Sequence, residues 1–400
     1  MEQESRNTAL RASSYEEIEP LIGLCKGGKL FAVQEWIAAG SPVNLPLELE
    51  AKCRSKAPLY VAMKLGFHSL VEVLLDGGAI GDSNSWDSPI YTALDMRRFD
   101  IVELIIEHGG YDPAKIDMKQ VFDCWDPAIM EYFIERGAEV EKGNPLAYAL
   151  SERIRTALRI YKQYQERFPS FKEQANLALR HHCAKGNLKW VSLMLWAGAD
   201  PYAPGPSEYD DEYLDDEPLS ALGYAALNGH VDVFKLKAIR LDPFHPVIKE
   251  VLRYLHWDET GELMQELIKL GVNLNDEENG GSHALEYLLL TMGAPRFMSW
   301  GNGLQRSNID SEESRAKLKM VHFLAKNGAN WIPVNKYTIE SARKSLLKLV
   351  PDYTVEFVWI MSKYKACAVE HLRELTRTPA IKTHIRLHSR RVAELLDSWG

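Results

Sequence analysis

The chain has 400 residues, of which 46% are apolar, 26% charged and 10% aromatic, and it carries a formal net charge of −9. That length exceeds one compact core, so the chain needs several domains or a structure that grows by stacking, and the composition excludes general disorder. No window approaches 18 consecutive apolar residues, and the first 19 residues (MEQESRNTALRASSYEEIE) are polar, which predicts a soluble, cytoplasmic chain without a membrane span or secretory leader. Cys25, Cys53, Cys124, Cys183 and Cys367 are scattered with no CxxC pair; they fit reduced thiols better than a disulfide frame or a zinc site.

In chain order, residues 1–18 form a polar segment and cap. Ser14-Tyr-Glu-Glu17 has the S-x-x-E form of a capping box, which predicts a helix starting near residue 15. From Glu19 the chain repeats itself: EPLIGLCKGGKLFAVQEWIAAGSPVN from Glu19, APLYVAMKLGFHSLVEVLLDGGAIGD from Ala57, SPIYTALDMRRFDIVELIIEHGGYD from Ser88, LALRHHCAKGNLKWVSLMLWAGADP from Leu177 and LSALGYAALNGHVDVFKLKAI from Leu219. Weaker copies begin at Val121, Asn144 and Val251. With Pro20 as the first start, equivalent positions fall at 58, 89, 117, 145, 178, 221, 251 and about 283, a period of about 33 residues.

Each unit predicts a short helix carrying small residues (Ala62, Ala93, Ala225, Ala226), a break, and a second helix with apolar spacing such as Leu70, Val71, Leu74 and Leu75. Glycines such as Gly77, Gly78 and Gly198 suit the left-handed turn that stops the second helix. One hairpin cannot bury both faces, so neighbours must stack and share a core. The pattern resembles the ankyrin repeat, over residues 19 to 332 in about nine units. The resemblance implies an all-α solenoid of stacked helix-turn-helix units, with the array spanning residues 19–334 and a helical C-terminal cap or extension over residues 335–400. The Thr of the family's TPLH start is absent, and its His is replaced by Tyr60, Tyr91, Ile22, Ala147 and Gly223, which predicts an irregular stack.

The resemblance supplies internal controls for the one tempting histidine in GYAALNGHVDVFKL. His230 follows a glycine break, and the same place holds Lys29, Phe67, Arg98 and Asn187 in other units. No chemistry recurs there, so His230 is read as linker and cap.

Two insertions interrupt the period. The first, APGPSEYDDEYLDDEP at 203–218, lies in a window, 190–234, that has no Lys or Arg and nine acids. Glu208, Asp210, Asp211, Glu212, Asp215, Asp216 and Glu217, with Tyr209, Tyr213 and Leu214 interleaved, read either as a negative aromatic surface for a basic partner or as a solvated loop. The second, TMGAPRFMSWGNGLQRSNIDSEES at 291–314, separates the two helices of the ninth unit. Its Phe297, Met298 and Trp300 either fold back onto the stack or anchor an interface.

After NGANWIPV the chain predicts helices near 339–349, 353–364, 365–376 and 381–397, with breaks at Pro351 and Pro379. Residues 362–391 carry eight bases against Glu370 and Glu374. Lys382, Arg386 and Arg390 recur at helical spacing and, with Arg391, are candidate phosphate contacts. Two histidine groups carry residue types that bind metals or act as nucleophiles. In His181-His182-Cys183, consecutive helical residues point 100° apart, and two of the three fall at neighbour-facing positions. His384 and His388 stand at i, i+4 without a third ligand nearby. No metal, cofactor or catalytic residue is therefore expected. The resemblance implies a non-catalytic scaffold that docks another protein with a basic surface; the alternative is nucleic-acid association through the basic C-terminal helix.

Overall fold

The structure is a computed structural model describing residues 10–79, 88–108, 111–208, 218–239, 284–292, 311–333 and 335–390, together with Met264, Gln265, Ile268, Lys269, Leu274, Asn275 and Val392. Among these residues there are helices, turns and isolated bridges but no β-strand. The chain divides into two compact units, Met1–Ala178 and Leu179–Gly400.

In the first unit, hairpins follow one another in sequence. They are α1 (Tyr15–Lys26) with α2 (Leu30–Ala38), then, after the short α3 (Leu47–Cys53), α4 (Pro58–Leu65) with α5 (His68–Asp76) and α6 (Pro89–Asp95) with α7 (Phe99–Glu107). The series continues with α8 (Met118–Asp123) and α9 (Pro127–Glu135), then α10 (Pro145–Ser151) and α11 (Arg155–Tyr164). First helices pack on first helices, α1 on α4, α4 on α6, α6 on α8 and α8 on α10; second helices do the same, α2 on α5, α5 on α7 and α9 on α11. Proline takes the first helical position in α4, α6, α9 and α10, where its missing N–H costs nothing. Ala62, Ala93 and Ala147 have no exposed surface; their size lets the first helices approach closely. Leu70, Val71, Leu74 and Leu75 are buried as expected.

Left-handed residues recur at the turns of the described hairpins, four of which carry both a break and a closing one. The break between helices has positive φ at Gly28, Gly66, Arg97, Trp125, Arg153, Gly186 and Gly229, and the turn after the second helix has it at Gly40, Gly78, Gly137, Gly198, Gly328 and Lys365. Three break positions thus keep the conformation without the glycine that would make it cheap. Two of them, Trp125 and Arg153, lie in the weaker copies at Val121 and Asn144, whose backbone keeps the turn all the same.

Polar ties link successive hairpins. Asn44 Nδ2 donates to Gly78 O at 2.9 Å, and Asn275 Nδ2 donates to Gly328 O at 3.0 Å; each acceptor is a closing glycine. Gln174 caps α10 from α12, the helix that opens the next hairpin (Ser170–Ala184): its Oε1 accepts from Leu146 N (2.9 Å) and Ala147 N (3.3 Å), while its Nε2 donates to Val140 O at 2.9 Å. Tyr148 and Asp123 (3.0 Å), Arg159 and Glu131 (2.8 Å), and Tyr164 and Glu135 (2.7 Å) make further pairs.

In the second unit, α12 (Ser170–Ala184), which carries the division between units, leads to α13 (Leu188–Ala197) and α14 (Ala221–Leu227). Later come α15 (Ala284–Thr291), α16 (Ser311–Lys326), α17 (Lys336–Leu347), α18 (Pro351–Lys363), α19 (Val369–Thr376) and α20 (Pro379–His388). Here α15 packs on α17 and α17 on α19, while α16 packs on α18 and α18 on α20. The C-terminal extension therefore continues the alternation seen in the first unit, with Lys365 in the closing left-handed place and Trp331 N bonded to Ala366 O at 2.7 Å.

Several expectations are corrected. The capping box at Ser14 does not form: Ser14 precedes α1 without a side-chain cap, and Glu17 instead accepts from the Ser13 N–H and hydroxyl, both at 2.7 Å. The second helix expected after His230 is a single 3-10 turn, Val231–Val233. Two β-branched valines disfavour helix there, and the carboxylate of Asp232 takes Lys235 Nζ at 3.0 Å. The breaks expected at Pro351 and Pro379 are present, but each proline is itself the first residue of the next helix, so α18 and α20 start two residues earlier than expected. Finally, α20 stops at His388, with Ser389 extended (φ −155, ψ 96); Arg390 and Val392 are again helical, and residues 393–397 of the expected helix lie outside the described residues.

The break contact yields a prediction. A β-carbon at Gly186 (φ +67) would come within 2.5 Å of the His230 ring, whereas one at Gly137 (φ +82) would meet nothing within 4 Å. Gly137→Ala is expected to cost about 1–2 kcal/mol from the left-handed backbone alone, and Gly186→Ala roughly 1–3 kcal/mol more from overpacking. In urea unfolding, adding His230→Ala should remove most of that excess; an excess that persists refutes the contact.

A second prediction concerns pH. His108 bonds Leu104 O through Nδ1 at 2.8 Å and Asp76 through Nε2 at 2.9 Å. Partial burial disfavours its charge, but these two acceptors and the nearby Glu72 outweigh that and raise its pKa above the ordinary 6.5. The stabilisation is therefore complete below pH 6.5 and fades as pH rises through the elevated value. The gap in thermal midpoint between wild type and His108→Gln should be wider at pH 5.5 than at pH 8; an equal gap would contradict the assignment.

Candidate functional site

Among the described residues of the second unit, the stem of the acidic insertion is fastened by contacts from several directions. It is held by α12 on one side and by the start of α14 on the other. Gly205 N donates to Leu219 O at 3.1 Å, an isolated antiparallel bridge that joins the two arms. Ser220, fully buried, caps α14 by accepting from Gly223 N at 3.0 Å. Tyr224 in α14 reaches back and donates its hydroxyl to Gly205 O at 3.1 Å.

Arg180 closes the arrangement. Its side chain has no exposed surface; Nε donates to Pro206 O at 2.6 Å and Nη1 to Ala203 O at 3.2 Å. A β-carbon at Gly205 would lie 2.5 Å from the guanidinium, so the approach requires glycine. The energetics show that this is more than loop closure. Doubling the length of a flexible loop costs only about 0.6 kcal/mol, while withdrawing a charged group from water costs several kcal/mol before its hydrogen bonds offset it. The sequence reading missed Arg180, although the signal was present. It occupies the place filled by Tyr60, Ala147 and Gly223 in other units, a place that faces inward.

Of the sequence-predicted partner residues, Glu208 is described. It sits 3.4 Å from His181 Nδ1 and 3.6 Å from Lys185 Nζ, so it latches the insertion to α12 and is less available to a partner than expected. Tyr209, Asp210, Asp211, Glu212, Tyr213, Asp215, Asp216 and Glu217 lie outside the described residues, as do Phe297 and Trp300 of the second insertion and Arg391.

Lys382 and Arg386 are exposed on α20. Arg390, also exposed, follows the extended Ser389 and does not share their helix, so the expected three-residue basic stripe is interrupted. Further bases, Lys344, Lys348, Arg373 and Arg377, are exposed on or just beyond α17 and α19; Glu340 and Glu374 pair with Lys344 at 3.7 Å and Arg377 at 3.5 Å. Nearby, an open groove is lined by Asp352, Val355, Glu356, Trp359, His388, Ser389 and Val392.

Three described histidines are engaged in contacts that hold the fold. His230 Nε2 donates to Ala184 O at 3.1 Å, satisfying a carbonyl at the end of α12 that has no helical partner. Phe67 over Gly28 and Arg98 over Gly66 make the corresponding contact in the first unit, so close that a β-carbon added to either glycine would lie 3.1 and 2.8 Å from them. His182 is buried and stacks on Trp190 with ring centroids 5.4 Å apart. His388 Nδ1 pairs with Asp352 at 2.7 Å, which draws it away from His384. Among the described residues, no group of three His, Cys, Asp or Glu side chains is placed to hold a metal ion. Burial pushes the thiols of Cys25, Cys183 and Cys367 up to about 12 and that of Cys124 to about 11, so these cysteines stay protonated and poorly nucleophilic. No described helix is long and apolar enough to cross a membrane.

No protein-family profile matches the chain, and none of the curated proteins compared with it does either.

The thiol environments predict slow chemistry. At pH 8, an aromatic disulfide reagent should modify Cys25, Cys124 and Cys183 only at the rate of unfolding, with all three reacting at once in denaturant. Rapid modification of Cys183 in the native protein would contradict its buried placement.

Proposed function

We propose that this chain is an irregular ankyrin-type array that acts as a non-catalytic scaffold, docking a partner protein through its turns, first-helix face and acidic insertion. The observation that carries the reading is the anchored stem: a solvated spacer has no use for a fully buried arginine, a tyrosine hydroxyl and a bridge at its base. Hairpins packed first helix on first helix, with left-handed residues recurring at their turns, support the repeat assignment. Such a scaffold presents side chains at set spacings with little ordering cost on binding. The excess of acids at 200–217 favours a partner with a basic surface, attracted at long range. Where that surface is the nucleic-acid site of an enzyme, docking would inhibit it. Five free cysteines suit a reducing, cytoplasmic compartment.

A second reading, nucleic-acid association, is favoured by the exposed Lys382 and Arg386. It predicts salt-dependent nucleic-acid binding that disappears when residues 377–400 are deleted, whereas the scaffold reading predicts unchanged protein docking by that variant.

The leading reading is tested by affinity capture from the native host, comparing wild type with a variant in which Asp210, Asp211, Glu212, Asp215, Asp216 and Glu217 become amides. A specific partner should fall at least tenfold in the variant. Equal recovery by both proteins sinks the proposal.

A further inference from the structure

We infer that the breaks of the first three hairpins form a surface that seats on an anionic lipid membrane, with Phe31, Leu65 and Phe67 entering the acyl boundary and Lys26, Lys29, Lys64 and Arg97 meeting the head groups. The inference is independent of the docking reading above: it concerns described residues of the first unit alone and needs no helix that crosses the bilayer.

Phe31 is 79%, Leu65 48% and Phe67 41% exposed. Phe31 is the second residue of α2, Leu65 the last of α4 and Phe67 the residue before α5, so all three stand at the same end of adjacent hairpins. Scattered exposed apolar side chains are ordinary, but these are joined: the Phe67 ring lies over Gly28, and Arg98 Nη1 donates to Gly66 O at 3.4 Å, tying the second break to the third. Around them Lys26, Lys29, Lys64 and Arg97 are exposed, and none is paired with a carboxylate among the described residues. Residues 20–34 and 58–71 contain no Asp or Glu. Asp95, exposed at the end of α6, and Asp100, held by Arg98 at 2.6 Å, bound the surface at the third hairpin. The far ends of the second helices carry exposed Glu35, Asp76 and Glu107 instead. These hairpins are therefore basic at one end and acidic at the other, and an anionic plane draws them in with the breaks foremost.

The relief of this surface decides its occupant. A protein side chain or an unstacked base needs a recess, and the recesses between these breaks are filled from within, Gly28 by Phe67 and Gly66 by Arg98. What remains are projecting apolar tips ringed by cations. A fluid interface takes in such tips without a matching cavity, and its anionic head groups attract the neighbouring Lys and Arg. Leu65 points the same way, since an aliphatic side chain offers a base no ring to stack on. First helices packed on first helices set the breaks in a row, so one plane reaches all three.

The test is cosedimentation of the full-length chain with phosphatidylcholine vesicles, with and without about 30 mol% phosphatidylserine, at roughly 100 and 500 mM salt. Wild type should pellet with the anionic vesicles at low salt and stay in solution with the neutral ones. Phe31→Ser, and separately the combined Lys26→Gln, Lys29→Gln and Lys64→Gln variant, should each partition about tenfold more weakly or worse. Their thermal midpoints should match wild type, because the altered side chains are exposed. Lys382→Gln with Arg386→Gln, on α20, should bind as wild type does. Insertion is read by quenching from brominated acyl chains: it should exceed the wild-type level in Phe31→Trp but not in Leu387→Trp, whose site on α20 is 73% exposed. Wild type that ignores anionic vesicles refutes the inference. So does binding that survives both break variants and is lost in the α20 variant, which would give the membrane to α20. Binding of a single-stranded oligonucleotide in place of vesicles, weakened by the break variants, would make this a nucleic-acid surface and overturn the lipid assignment. Quenching in Phe31→Trp no greater than in wild type overturns insertion. The docking reading is unaffected by any of these results, since the acids it depends on are untouched.

Discussion

A hairpin of two short helices has two apolar faces and can cover neither alone, so each hairpin must borrow its neighbours' surface. That constraint explains why first helices carry alanines with no exposed surface and why second helices carry Leu and Val at helical spacing. It also explains where polar groups are used. Asn44, Asn275 and Gln174 are spent on the ends and turns of adjacent hairpins, because those backbone groups have no helical partner and would be costly to bury unpaired.

The break between helices shows how tightly this coupling is drawn. A left-handed residue turns the chain, and in three described places the next hairpin's side chain rests on it: Phe67 on Gly28, Arg98 on Gly66 and His230 on Gly186. Glycine is needed there twice over, for its φ and for the absence of a β-carbon. His230, which invites a catalytic reading in the bare sequence, is the version of this contact that also donates to a helix-end carbonyl. Packing accounts for its placement.

Arg180 is the same kind of element used for a different end. It stands on a first helix at an inward-facing place, where other hairpins carry Tyr60 or Ala147. Its guanidinium is turned on the two carbonyls that bracket Gly205, so a position that elsewhere serves neighbour packing here directs a surface segment. The chemistry of the described residues points the same way: protonated thiols, histidines engaged with carbonyls, rings and carboxylates, and ion pairs set mostly between neighbouring elements.

Periodicity was legible before any coordinates because burial repeats every 33 residues or so, and helical spacing within each period names the inward residues. Leu70, Val71, Leu74 and Leu75 could be read that way, and so could the two-helix form of the diverged units at Val121 and Asn144. Helix ends were less legible. Pro351 and Pro379 are compatible with both a stop and a start, and only the neighbouring turn decides which. Short β-branched stretches such as Val231–Val233 likewise follow their surroundings rather than their spacing. The left-handed state of Arg97, Trp125 and Arg153 could not be read at all, since nothing local favours it and the packing on either side imposes it. The same holds for Arg180. A one-dimensional pattern marks its place as buried, but which carbonyls it meets depends on a loop that returns from 23 to 26 residues away. Helical class, period and charge polarity are readable from the residues alone, because these follow from local propensity and spacing. The tertiary structure decided which side chains lock turns, ends and the insertion stem, because those contacts exist only between segments that the chain order keeps apart.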